Sequence, residues 1–127
     1  GSVNNKTVAV LGLTFKPETD DMRESASIPI LHRLAEGGAR LQAYDPVGMD
    51  AAKFLLPPET TYCENALSTA QDADVLVVLT EWEQFRSISP DALAQRMRNK
   101  IIVDLRNIFD PAVMRESGFS YLSVGRP

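Results

Sequence analysis

The chain is short of every device that staples a protein or carries it across a membrane. It holds one cysteine, Cys63. An internal disulfide is therefore impossible, and the composition reads as that of a reducing, cytoplasmic compartment. No apolar run approaches the ~20 residues a spanning helix needs. No secretory leader is expected, and no membrane partner. Basic residues are the minority: 13 Lys and Arg against 17 Asp and Glu leave a net charge of -4, which argues against nucleic acid as a partner. Hydrophobic residues at 44% and charged residues at 24% exclude disorder, collagen-like repeats and coiled coil. A chain of 127 residues is one domain's worth, and a domain of that size buries about two-thirds of its unfolded surface. The opening Gly1-Ser2 resembles the remnant of a cleaved tag and is set aside. Residues 3–127 are then expected to be a single domain cut from something longer.

What is present alternates between two patterns. Lys6–Leu13 (KTVAVLGL), Arg40–Tyr44 (RLQAY), Thr60–Cys63, Asp74–Thr80 (DVLVVLT), Lys100–Leu105 (KIIVDL) and Phe119–Val124 read as strands. Glu24–Glu36, Met49–Phe54, Ala66–Gln71, Glu81–Arg86, Pro90–Arg98 and Pro111–Glu116 read as helices. In the first of these, Ile28, Leu31, Leu34 and Ala35 share a face. Pro29 fits only a first turn, so that helix starts near Ser25–Ser27, with either serine able to cap it and Gly37-Gly38 ending it. Strands alternating with helices imply parallel βαβ units. The expected fold is α/β, a Rossmann-like doubly wound sheet of about six strands in the order 3-2-1-4-5-6.

In such a sheet the ligand crevice lies beyond the carboxyl ends of the strands, where the order reverses. Four loops converge there: Gly12–Arg23, Asp45–Gly48, Thr80–Gln84 and Asp104–Phe109. The first lacks G-x-G-x-x-G and Walker A. Gly12 stands alone, so the backbone cannot approach a pyrophosphate closely. The loop offers Lys16 and Phe15 instead, an anion holder with an apolar face or a surface lysine after a core phenylalanine; both readings stand. Asp20, Asp21 and Glu24 suit the dipole at a helix start better than a metal site, and no metal is expected. Arg23 among them is an ion-pair partner or a phosphate contact. Arg106, two residues beyond a buried strand end, points toward the crevice, where a guanidinium recognises phosphate bidentately; the competing reading is a salt bridge to a neighbouring loop. Cys63 has no basic neighbour to activate it. His32 reads as a surface residue, and Trp82 with Phe85 as packing. A receiver domain is excluded, because no acidic pair follows the first strand directly.

The segment VAVLGLTFKPETDDMRESASIPIL at Val8–Leu31 resembles the C-terminal, UDP-binding domain of the UDP-glucose 6-dehydrogenases, within the UDP-glucose/GDP-mannose dehydrogenase family. AYDPVGM at Ala43–Met49, VLTEWEQFR at Val78–Arg86 and IIVDLRNIFDP at Ile101–Pro111 extend the likeness over the whole chain after Ser2. The resemblance implies an NAD-dependent enzyme that oxidises the C6 hydroxyl of UDP-glucose to a carboxylate. It implies that Phe15, Lys16 and Arg106 contact the nucleotide sugar and that Arg23 reaches across the cleft to NAD. The nucleophile motif G-F-G-G-x-C-F-P-K-D and the NAD fingerprint are absent, and Cys63 does not match the former. The implied chain is then a non-catalytic half-site. Its partners would be UDP-glucose and the N-terminal NAD-binding and central domains of a parent that is a homo-oligomer. The alternative is a free-standing nucleotide-sensing module. The reading frame upstream of Val3 discriminates between the two.

Overall fold

The computed structural model of the chain describes residues 3–14, 22 and 25–123. Its centre is β1 (Thr7–Leu11, TVAVL), in which every residue is buried. A strand without an exposed face must be covered on both sides, which is how parallel sheets are built. The elements that follow are α1 (Ser27–Glu36), β2 (Arg40–Tyr44), α2 (Met49–Ala52), β3 (Thr61–Tyr62), α3 (Ala66–Thr69), β4 (Val75–Val78), α4 (Glu83–Arg86), α5 (Pro90–Arg96), β5 (Ile101–Asp104), α6 (Pro111–Glu116) and β6 (Ser120–Ser123). The six strands pair in parallel in the order β3-β2-β1-β4-β5-β6. This is the expected topology, with most element ends one or two residues inside the expected ones.

Strand alternation divides the core into two layers. Ala9 and Leu11 of β1 join Leu76, Val78, Phe85, Leu93 and Ile102 on one face. Val8 and Val10 join Leu31, Leu41, Ala43 and Val77 on the other. Trp82 and Phe85 are buried in the first layer, so the packing reading of both holds. On α1 the expected stripe faces the sheet: Leu31 is fully buried, and Ile28, Leu34 and Ala35 pack beside it.

Prolines mark three helix starts. Pro29 is the third residue of α1, inside its first turn. Pro90 and Pro111 open α5 and α6, where Ser89 Oγ and Asp110 Oδ1 accept the amides of Ala92 (3.3 Å) and Ala112 (2.9 Å). The capping expectation for α1 is met in part. Its N-cap position is Ala26, with no side-chain bond, but Ser25 Oγ accepts the amide of Ser27, the first helical residue, at 3.2 Å. Ser25 Oγ and Ser27 Oγ also each donate to Leu13 O, at 2.6 Å. A buried carbonyl without a donor is costly, and the two serines satisfy it.

The lower end of the sheet is closed by Asp74, just before β4. Its amide donates to Thr7 O (2.8 Å), and its Oδ2 accepts the Thr7 amide in return (2.9 Å). Oδ1 accepts from Asn99 Nδ2 at 2.8 Å, and Arg98 stands 3.7 Å from Oδ2. The Thr7 amide, opposed by burial and helped by Arg98, Asn99 and Lys6, holds the carboxyl below the usual carboxylate range.

The unfolded chain binds the Asp74 proton more tightly than the folded one. Its contribution to stability is therefore complete above about pH 4 and is lost as pH falls through the lowered value. Asp74→Asn should flatten the acid limb of stability against pH in urea titrations below about pH 4. Asp74→Ala should cost roughly 1–3 kcal/mol near neutrality, because the buried Thr7 amide loses its acceptor. At the other end, Gly12 has φ +92°, and a Cβ there would lie 2.7 Å from Thr80 N. Gly12→Ala should destabilise by about 2–4 kcal/mol in denaturant unfolding, from backbone strain and overpacking together.

Candidate functional site

The chain leaves β1 through Gly12, Leu13 and Thr14, and three neighbouring elements take hold of these residues. From the end of β2, Asp45 Oδ2 accepts the amides of Leu13 (2.7 Å) and Thr14 (3.2 Å) and the Thr14 hydroxyl (3.3 Å). Its other oxygen accepts the amides of Val47 (3.0 Å) and Gly48 (2.7 Å). Asp45 is fully buried, and a charge so placed is tolerable only when hydrogen-bonded throughout. At the start of α1, Ser25 and Ser27 take Leu13 O. Beyond β4, Thr80 Oγ1 donates to Thr14 O at 2.9 Å. Gly12 makes that approach possible, since Thr80 fills the space a side chain there would need.

This arrangement answers the question of a dinucleotide. A Rossmann first turn binds pyrophosphate through free backbone amides and the space left by glycine. Here the first two amides after Gly12 are bonded to Asp45, and the space at Gly12 belongs to Thr80. The turn does not fit a dinucleotide in that manner.

The loop after β5 is folded around a second buried carboxylate. Asp104 Oδ1 accepts the Arg106 amide (3.1 Å). Oδ2 accepts the amides of Ile108 (2.8 Å) and Phe109 (3.0 Å) and the Tyr121 hydroxyl (2.6 Å). Asn107, in the left-handed region at φ +57°, makes the turn. Arg106 is thereby fixed by its backbone just past the strand end, with its side chain 41% exposed. Its Nε donates to Glu81 Oε2 on the loop after β4, and the carboxylate holds the guanidinium yet more firmly protonated. The contact is the one the salt-bridge reading of Arg106 expects: the side chain, at the carboxyl end of β5, is paired to the adjacent loop.

The other expected residues fall as follows. Phe15, Lys16 and Arg23 lie outside the described residues, as do Asp20, Asp21 and Glu24. The positions flanking them, Leu13 and Ser25–Ser27, are bonded to one another at the crevice. His32 is exposed, with Nε2 2.8 Å from Leu55 O, and Cys63 is a free thiol beside the edge strand β3. Among the described residues, no three of His, Cys, Asp and Glu gather as metal ligands, and no helix is long and apolar enough to cross a membrane. Asp45 and Asp104, which brace the crevice, were readable only as strand terminators. Their one signal is an acid at a strand's end, after RLQAY for Asp45 and closing KIIVD for Asp104. A cavity of about 630 Å³ lies at the opposite end of the sheet, bordered by Thr7, Arg40, Gln42 and Glu59, and contains none of the candidate residues.

Comparison with known proteins agrees with this geometry. Residues 9–111 match the family model described as the UDP-glucose/GDP-mannose dehydrogenase family, UDP binding domain. The chain is 44% identical over 128 residues to a UDP-glucose 6-dehydrogenase of Rhizobium meliloti (strain 1021), covering all of this chain and 29% of that protein. Among solved structures, a UDP-glucose dehydrogenase from the hyperthermophilic archaeon Pyrobaculum islandicum superposes with a TM-score of 0.79 at 32% identity, over 96% of this chain and 26% of that one. An NDP-N-acetyl-D-galactosaminuronic acid dehydrogenase from Methanosarcina mazei Go1 gives 0.85 at 26% identity, over 98% and 26%. The chain thus spans under a third of the length of the relatives it matches. With a parallel sheet in the order expected and the family match over residues 9–111, the chain belongs to the UDP-glucose/GDP-mannose dehydrogenase family, of which it matches the UDP-binding domain.

Proposed function

We propose that residues 3–127 are the UDP-sugar-binding domain of a larger NAD-dependent UDP-glucose 6-dehydrogenase, and that this chain by itself is not catalytic. The observation that carries the reading is the pairing of two features at one crevice. The β1-exit amides are consumed by Asp45, and a cationic fork, Arg106, stands at the end of β5. A phosphate arriving there finds the Leu13 and Thr14 amides already engaged and the charge of Arg106 beside it. The family match and the 44% identity with a UDP-glucose 6-dehydrogenase support the same assignment.

In this reading Phe15 lies against the nucleotide sugar, and Lys16 and Arg106 offset the charge of the pyrophosphate from the ends of the first and fifth strands. Arg23 reaches across the cleft toward NAD. The dinucleotide itself then belongs to the N-terminal domain of the parent, as does the cysteine that attacks the oxidised C6. The contribution of this chain is remote binding energy. Holding the UDP end fixes where C6 lies and helps close the cleft, so the energy appears in the rate as well as in binding. The parent is a cytoplasmic homo-oligomer.

The reading is tested by titrating UDP, GDP and NAD separately into the chain and following backbone amide shifts. UDP should move the amides of Arg106, Asn107 and the Phe15–Arg23 stretch, with little response to GDP or NAD. Arg106→Ala should weaken UDP binding about tenfold, as expected when a charged hydrogen bond is lost. In the full-length enzyme, Lys16→Ala and Arg106→Ala should each raise KM and lower kcat, reducing kcat/KM by roughly 10–100-fold. An equal response to NAD and UDP, or unchanged kinetics in both variants, would remove the proposal.

A further inference from the structure

Arg106 reaches the crevice already partnered, and its partner has no role in the reading above. Glu81 Oε2 accepts from Arg106 Nε, with Glu81 26% and Arg106 41% exposed. Both residues are rooted in rigid backbone. The Arg106 amide is bonded to Asp104. Glu81 directly follows Thr80, which is buried, bonded to Thr14 and packed into the space at Gly12. An arginine side chain is long and loses much rotamer freedom when it binds an anion. A carboxylate on Nε removes part of that freedom beforehand. It also leaves the far edge of the fork, Nη1 and Nη2, without a bond to any described residue. That edge is the one that meets two phosphate oxygens side by side.

We infer that Glu81 is a positioning residue: it holds the Arg106 guanidinium by Nε so that the Nη1/Nη2 edge faces the phosphate of the bound nucleotide. The inference rests on the UDP-binding reading. Glu81 also places a negative charge near an incoming anion, and the two effects oppose each other. Its charge sits on the Nε side, away from the open edge, in a partly exposed position where screening is strong. Pre-organisation of the fork therefore outweighs repulsion. The residue acts through geometry, so an uncharged acceptor of the same shape preserves most of its effect.

The test is a set of UDP titrations of this chain, read by amide shifts, on the wild type and on Arg106→Ala, Glu81→Ala, Glu81→Gln and the Glu81→Ala/Arg106→Ala double variant. Glu81→Ala should weaken UDP binding about fivefold, within the range of couplings between contacting residues. Glu81→Gln should stay within about twofold of the wild type. In the Arg106→Ala background, Glu81→Ala should cause no further loss. The Nε–H resonance of Arg106, slow to exchange in the wild type, should become fast in Glu81→Ala. Tighter binding in both Glu81 variants would mean that repulsion dominates and would overturn the inference. An equal loss from Glu81→Ala with and without Arg106 would overturn it too, as the mark of a merely structural role. A wild type that ignores UDP, or an Arg106→Ala variant that binds as the wild type does, would remove the UDP-binding reading itself and the inference with it.

Discussion

Strand β1 has no exposed residue and is closed at each end by a carboxylate from elsewhere in the chain. Asp74 takes the amide of Thr7 at its start, and Asp45 takes those of Leu13 and Thr14 beyond its end. The remaining strands are placed by their pairing outward from this one, β2 and β3 to one side and β4, β5 and β6 to the other. A buried carboxylate is costly on its own and tolerable when amides surround it. Asp45 accepts four backbone amides and the Thr14 hydroxyl, and Asp104 three amides and the Tyr121 hydroxyl. Each carboxylate thus does for a loop what a ladder does for a strand. It gives irregular backbone, which must still satisfy its polar groups, a common acceptor.

The two acids also divide the labour at the crevice. Asp45 fixes where the chain departs from β1, and Asp104 fixes where Arg106 begins. Thr80 ties the β4 exit to the first of these places, and Glu81, its neighbour, reaches the second. The carboxyl ends of β1, β2, β4 and β5 are therefore linked by side-chain bonds as well as by sheet pairing. A site on rigid supports holds a ligand more closely than one on free loops, since little is lost in ordering it.

Much of this was legible in the sequence. Short apolar runs alternating with helical stretches led to six parallel strands in the observed order, because right-handed crossovers leave few alternatives. The position of Arg106, just past a buried strand end, was legible too. The braces were not. The bonds from Asp45 to Leu13 and Thr14 span 32 and 31 residues, and no local pattern encodes them. Ser25 and Ser27 stood where a capping residue belongs, so a local preference hid their tertiary use on Leu13 O. The salt-bridge partner of Arg106 lies 25 residues away, on a loop whose TEWEQFR stretch drew attention to its aromatic residues.

The hold of Asp45 on the exit from β1 has a consequence for how that corner responds to its surroundings. The acceptor of the Leu13 and Thr14 amides is covalently part of the chain, and an intramolecular partner acts at a high effective concentration. A soluble anion has to displace it before reaching either amide. Those two donors therefore stay committed to the fold whatever the solution contains, and the corner keeps one shape.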